Sequence, residues 1–324
     1  MSRKEALIAA YILDGKGGGK KIGWKEIEQW QPEQGYLWVH LNHTTRKARQ
    51  WLLKESGLDK LTAQAMVAQE SRPRSVINHA GLLVFLRGIN LNPGREPEDM
   101  ISMRIWINHQ RIITARKEPT MTMDDLFTAL ETHTGPKSPS EFLVTINDLI
   151  INKMEEVLEA IDDQSDKLEE EVMTTESYLL RPKIADIRRQ AIEIRRYLAP
   201  QREALYRLQI EKTSLLNVSE QLRLREATDR VIRYIEDLDS IRDRAAITQE
   251  ELSSRLSEQM DRRMYILSVV AVIFFPLTFL TGLLGINVGG IPGAGNKWGF
   301  LSVCIILAAV IFVTLWLLRR KKWM

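Results

Sequence analysis

The 324-residue sequence has a single cysteine, Cys304, so no intrachain disulfide can form and a reducing compartment is expected. It has five histidines, and they are scattered. His40 and His43 sit near the end of an apolar run, while His79, His109 and His133 stand apart, without the spacing of a metal signature. No nucleophile, base and orienting group recur at a spacing that catalysis would need, which excludes a recognisable enzyme. Net charge is small as well. The 45 basic and 42 acidic side chains leave +3, and the basic residues are balanced by nearby acids, which argues against a nucleic-acid surface. The first apolar run, residues 6–13, is short and closes on Asp14-Gly15, so it does not read as a secretory signal peptide.

The most informative absence is local. Residues 264–284 and 298–318 contain no charged side chain, and at 1.5 Å per residue each run can cross a bilayer core of about 30 Å. The mean hydropathy of −0.19 is nevertheless soluble-like, because the apolar material is concentrated after Arg263. Two membrane helices, joined by a Gly-rich connection that opens with Gly285-Ile286-Asn287, therefore follow a large soluble region. Asp261-Arg262-Arg263 precedes the first run, Arg319-Arg320-Lys321-Lys322 follows the second, and the connection holds only Lys297. The positive-inside rule then places the soluble region and both termini in the cytoplasm.

Residues 1–134 read as a mixed α/β domain. Strands are expected at 6–13, 36–41 and 82–91, with a hairpin over 101–115, and helices at 45–54, 59–68 and 123–132. The segment Gly15-Lys16-Gly17-Gly18-Gly19-Lys20-Lys21 superficially suggests a phosphate loop. Asp14 stands where the leading glycine belongs and Lys21 where the magnesium-binding hydroxyl belongs, so a flexible turn is expected. Glu70-Ser71-Arg72-Pro73-Arg74 reads as a loop whose arginines pair with local carboxylates.

Residues 135–262 change to long helices. The stretch 140–178 has no Pro or Gly and is strongly acidic, and Pro182 suits the start of a second, basic helix that Pro200 should kink or interrupt. One acidic and one basic helix would attract each other as an antiparallel hairpin. A third helix is expected to begin near Asn217-Val218-Ser219 and to run on through residue 284, about 100 Å. Leu224, Val231, Leu238, Ala245 and Leu252 recur every seven residues along it, a stripe that must pack on the hairpin or on a copy of itself. Residues 263–324 form the two-helix membrane domain with its basic tail.

Counting back in sevens from Gly285 gives Thr278, Ala271 and Met264, and a neighbouring line holds Thr281, Phe274 and Leu267. This face lines a narrow pore or packs against another helix, and periodicity leaves both open. The same count continues through Ser257 to Glu250, Asp243, Glu236 and Asp229, either a cation-attracting vestibule or an exposed acidic stripe. The connection offers Asn287, Asn296 and glycines but no carboxylate, His or Cys, a donor set that suits a largely hydrated divalent cation better than dehydrated zinc.

These residues resemble the CorA family of divalent-cation transporters, and the resemblance covers essentially the whole chain. Its specific core is Phe275-Pro276-Leu277-Thr278-Phe279-Leu280-Thr281-Gly282-Leu283-Leu284-Gly285-Ile286-Asn287. The magnesium branch typically reads Tyr-Gly-Met-Asn followed by an acidic loop. Here Leu284-Gly285-Ile286-Asn287 leads into Val288-Gly289-Gly290-Ile291-Pro292-Gly293, which is similar to the ZntB zinc-transporter branch, as are Asp14-Gly15-Lys16-Gly17-Gly18 and Glu70-Ser71-Arg72-Pro73-Arg74. The resemblance implies an inner-membrane homopentamer with a funnel-shaped cytoplasmic α/β domain. The first membrane helices would line its pore, and Gly285, Ile286 and Asn287 would lie at the outer mouth. It implies Zn2+ uptake, proton-coupled in some members, with transport of Mg2+, Co2+ or Ni2+ as the alternative and Cd2+ as a further cargo. No cofactor is expected. A reading of another class is a membrane-anchored coiled-coil receptor or scaffold.

Overall fold

The computed structural model describes residues 5–320 apart from 70, 176–177, 211–214, 287–290 and 292–294. Seven strands form one sheet: β1 Leu7–Leu13, β2 Gly19–Lys21, β3 Tyr36–Asn42, β4 Arg74–Asn78, β5 Gly81–Gly88, β6 Ile101–Ile107 and β7 Arg111–Arg116. Their order is β2-β1-β3-β7-β6-β5-β4, and every pairing is antiparallel except β3 with β7. The central strands are apolar almost without alternation because both faces are covered. Leu37, Val39 and Leu41 of β3 join Trp51, Leu52 and Met66 from α2 (Arg46–Lys54) and α3 (Lys60–Val67). On the opposite face Trp38 stacks on Phe127 of α4 (Met121–Glu131) and meets Phe142 of α5 (Pro139–Thr174) edge-on at 4.9 Å. The short α1, Trp24–Gln29, adds Ile27 and Trp24 to the first face.

Helix starts follow local capping chemistry. Thr45, Asp59, Thr120 and Ser138 each accept the backbone N–H three residues on, opening α2, α3, α4 and α5. Asn217 does the same for α7 (Val218–Leu284), where its side chain takes the Glu220 N–H and the Glu220 carboxylate takes the Asn217 N–H.

The glycine-rich segment is not a phosphate cradle. The Asp14 carboxylate accepts the N–H groups of Lys16 and Gly18 at 2.7 and 2.9 Å, and these bonds, that to Lys16 foremost, hold its pKa below the usual range. The Gly17 carbonyl takes the Gly135 N–H at 2.9 Å, clasping the connection between α4 and α5. Gly17 has φ +106°, and a Cβ there would stand 2.7 Å from the His133 carbonyl.

By compact packing the chain divides into two units, residues 1–175 with 179–249, and residues 176–178 with 250–324. In the first, α5, α6 (Leu180–Ile210) and the upper part of α7 form a bundle. Leu224, Val231, Leu238 and Ala245 are buried within this unit, so this part of the heptad stripe packs on the preceding hairpin, and Leu252, in the second unit, is buried as well. Ser165 and Leu168, Ile184 and Ile187, and Ala245 and Thr248 converge from the three helices. The helices α5 and α7 run parallel in a nearly constant register. Ser140 bonds Glu220, Asp148 bonds Arg223 and Arg230, and Arg244 bonds Asp162 and Asp166, at sequence separations of 75–82.

That register corrects the expected acidic–basic hairpin. Among the described residues Lys183–Glu171, at 3.7 Å, is the ion pair that joins α5 to α6, whereas the α5 acids turn to the arginines of α7. The apolar positions of α5 and α6 take their mutual contact, which leaves the charges on the outer edges. Nor does Pro200 interrupt α6, which continues to Ile210. The lost N–H costs one helical bond, but the next residue, Gln201, is fully buried and accepts the Arg87 N–H at 2.7 Å. Ser75 also bonds the Ala204 carbonyl, so the sheet holds this part of the helix in place.

Gly17→Ala should lower the thermal midpoint, because it adds both left-handed strain and a backbone clash, together about 1–3 kcal/mol. Gly94→Ala, at φ +72° with nothing within 4 Å of its Cβ, should cost less. Equal midpoints for the two variants would show that the clasp yields freely.

Candidate functional site

Met264–Leu284 of α7 and the whole of α8 (Gly299–Arg320) are the two described helices long and apolar enough to cross a membrane. Trp298 and Trp316 lie at the two ends of α8, both exposed and about 27 Å apart along its axis, the spacing of two interfacial aromatic belts. Ser268, Thr281 and Thr314 donate their hydroxyls to their own helix backbone, so they carry no unmet polarity into an apolar medium.

Partial burial divides each helix by side. On α7 it falls at Val269, Ala271, Ile273, Pro276, Leu277 and Leu280, and on α8 at Gly299, Val303, Leu307, Val310, Ile311, Thr314 and Leu315, with Leu318 buried. Five of the six expected path-lining residues, Met264, Leu267, Phe274, Thr278 and Thr281, are exposed, and Ala271 is half-buried. The helix ends at Leu284, and Gly285 continues its hydrogen bonding through an N–H to the Thr281 carbonyl at 2.9 Å. A Cβ at Gly285 would also approach that carbonyl to 2.9 Å, so a side chain is resisted at the turn. Ile286 is exposed, and Asn287 lies outside the described residues. At the start of α8, the Asn296 side chain accepts the Trp298 N–H.

Asp229, Glu236 and Asp243 in the first unit are all exposed, as is Glu250 in the second. Asp243 is engaged by Arg242 at 2.8 Å. Beside Glu236, burial followed by the charges of Asp162 and Glu236 raises the Asp237 pKa. The four carboxylates thus face water on α7.

His40 and His43 belong to the core, whereas His79, His109 and His133 are exposed. Trp38 Nε1 donates to Thr114 Oγ1 at 2.8 Å, and the same hydroxyl is hydrogen-bonded to His40 Nδ1 at 2.7 Å. Burial first, then Arg116, keeps the His40 pKa well below the usual value. His43 is pushed down to about 4 by burial and by the charges of Arg104 and Arg49. Among the described residues no group of three or more His, Cys, Asp or Glu side chains can hold a metal. The arginine loop departs from expectation: Arg74 lies over the Phe85 ring at 4.7 Å instead of pairing with a described carboxylate. Phe85 is buried and presents a ring face, which the sequence did not signal.

His43 has a measurable signature. The unfolded chain takes up a proton below about pH 6.5 and the folded chain resists it until about 4. Its stabilising contribution is therefore complete above pH 6.5 and is lost as pH falls toward 4, by about 3 kcal/mol. His43→Gln should flatten the acid limb of a stability–pH curve, and an unchanged limb would assign the loss elsewhere.

Comparison with known proteins bears on this arrangement. Residues 33–320 match the family described as CorA-like Mg2+ transporter protein. The chain is 37% identical over 325 residues to the divalent cation transporter CmaX of Pseudomonas aeruginosa, covering 99% of this chain and 98% of that protein. It is 33% identical over 318 residues to the zinc transport protein ZntB of Yersinia pseudotuberculosis, covering 98% and 96%. The solved structure of full-length CmaX matches with a TM-score of 0.86 at 36% identity over 99% of each chain. The CorA magnesium transporter of Methanocaldococcus jannaschii matches with a TM-score of 0.81 at 17% identity, over 98% of this chain and 99% of that one, a likeness of fold alone.

Proposed function

The chain belongs to the CorA-like family and is a divalent-cation transporter of the CorA/ZntB type, and we propose that its cargo is Zn2+, taken up through a homopentamer of the inner membrane. Its relatives are transporters, which removes the enzyme and anchor-only scaffold readings. The zinc reading is carried by the sequence Gly285-Ile286-Asn287-Val288-Gly289-Gly290 together with the likeness to proteins named for zinc transport.

In this proposal residues 1–134 and 135–262 are cytoplasmic and residues 263–324 hold the membrane path. Met264, Leu267, Ala271, Phe274, Thr278 and Thr281 from each α7 face the axis. Gly285, Ile286 and Asn287 ring the outer mouth, and Asp229, Glu236, Asp243 and Glu250 line the cytoplasmic vestibule. Support comes from the α7 face, which is uncharged and mostly exposed on a single chain, hence available to water or to a neighbouring copy. A path of methyls, hydroxyls and amides passes a cation with much of its hydration shell in place, and rings of carboxylates raise the local cation concentration at one end. The second reading, Mg2+, Co2+ or Ni2+, is favoured by the lack of any nitrogen or sulfur ligand in the connection, where amide and carbonyl oxygens suit a hard, hydrated ion.

Flux into liposomes carrying the purified protein, measured for Zn2+, Mg2+, Co2+, Ni2+ and Cd2+ with and without a pH gradient, tests both readings. Zn2+ should enter fastest, and Asn287→Ala should slow it by at least about tenfold, a loss of about 1.4 kcal/mol of barrier stabilisation. Glu236→Gln with Asp243→Asn should slow entry chiefly at low ionic strength, where surface fields reach furthest. Faster Mg2+ than Zn2+ would favour the second reading, and flux equal to that of empty liposomes would sink both.

A further inference from the structure

Five arginines on the charged part of α7 have carboxylate partners, whereas Arg225 and Arg233 have none within 4.0 Å among the described residues. Arg223 and Arg230 reach Asp148, Arg242 reaches Asp239 and Asp243, Arg244 reaches Asp162 and Asp166, and Arg255 reaches Glu251. Unpaired arginines also flank the charge-free runs. Arg262 and Arg263 on α7 and Arg319 and Arg320 on α8 are all exposed, and none has a carboxylate within 4.0 Å among the described residues. Arg263 precedes the end of α7 at Leu284 by 21 residues, and Arg320 follows the start of α8 at Gly299 by 21 residues, about 31 Å along each helix. With both helices read as crossing the membrane in succession, both arginine pairs come to the same face of the membrane. Trp316 sits at this end of α8, with the Arg320 guanidinium carbon 5.3 Å from its ring centroid, a stacking that holds the cation at the depth of an interfacial aromatic.

We propose that these four guanidinium groups form a docking band for the phosphates of anionic phospholipid headgroups. The inference rests on the reading of the two helices as membrane-spanning. Guanidinium is planar and presents paired N–H donors that match two phosphate oxygens, and four arginines against Glu258 and Asp261 leave an excess of positive charge. A zwitterionic headgroup carries its own cation, which this excess repels. A net-negative headgroup meets no such penalty.

The full-length protein, purified in detergent, is titrated with phosphatidylglycerol, phosphatidylcholine or inorganic phosphate while its unfolding temperature is followed. Phosphatidylglycerol alone should raise the midpoint, high salt should suppress the rise, and each Arg→Gln change among the four should weaken the apparent affinity about fivefold. Arg→Lys at all four positions keeps the charge and should retain part of the response, which separates loss of binding from loss of fold. An equal response to phosphatidylcholine or to free phosphate, or an undiminished response when all four arginines are changed to Gln, would overturn the assignment. Membrane insertion is scored independently by shielding of Cys304 from a water-soluble maleimide in phosphatidylcholine liposomes. Shielding without phosphatidylglycerol preference removes only the headgroup assignment, whereas free labelling removes the membrane reading and the proposal with it.

Discussion

The apolar stripe on α7 is the constraint from which much of the structure follows. A 67-residue helix cannot be stable in water on propensity alone, and Leu224, Val231, Leu238 and Ala245 must be covered over a length that no small sheet domain supplies. α5 and α6 answer that need with 36 and 31 residues. Once the three helices are packed, the remaining side chains have little choice. The acids of α5 find the arginines of α7, Gln201 and Ser75 tie α6 to the sheet, and Ser140 fixes the first turns of α5 and α7 together. These polar links are partly exposed, and each contributes about 1 kcal/mol or less. They select a register that apolar burial has already made stable.

Below the bundle the same helix obeys a different solvent. Its side chains from Met264 to Leu284 are uncharged, the hydroxyls of Ser268 and Thr281 are closed on its own backbone, and Pro276 is carried without a break. A helix is the shape that satisfies every backbone group within its own segment, which is why the run can leave water for hydrocarbon without a change of secondary structure. On the proposed path, what counts is what the exposed face lacks. With no carboxylate or imidazole on it, tight capture of a bare metal ion is disfavoured, and passage without trapping is the chemistry that remains.

Strong patterns were legible in the sequence. The strands at Leu7–Leu13, Tyr36–Asn42 and Ile101–Arg116, the capped helices after Thr45 and Asp59, the Asn217 helix start and the two uncharged spans all stand within a few residues of where periodicity and capping put them. Elements defined by their partners were not. The three-residue β2 has no apolar pattern and exists because Lys20 and Lys21 pair with Ile12 and Tyr11. The edge strand β4 begins at an arginine just after Pro73 and so read as loop, and six-residue α1 is too short to show a period. The parallel pairing of β3 with β7 joins segments about 75 residues apart, which no local signal announces. At the site, the sequence supplied the uncharged face and the acidic row. It could not tell that Ala271 turns toward partial burial, or that the α5 acids belong to α7, because both depend on which helix lies beside which.

The constant separation of about 80 residues between partners on α5 and α7 also limits how such a chain can vary in length. Removing one residue from the middle of either helix would turn everything beyond it by about 100° and carry Asp162 and Asp166 away from Arg244. Viable insertions and deletions are therefore confined to the connections between the helices, or arrive within them in sevens, where the accumulated turn is only about 20°.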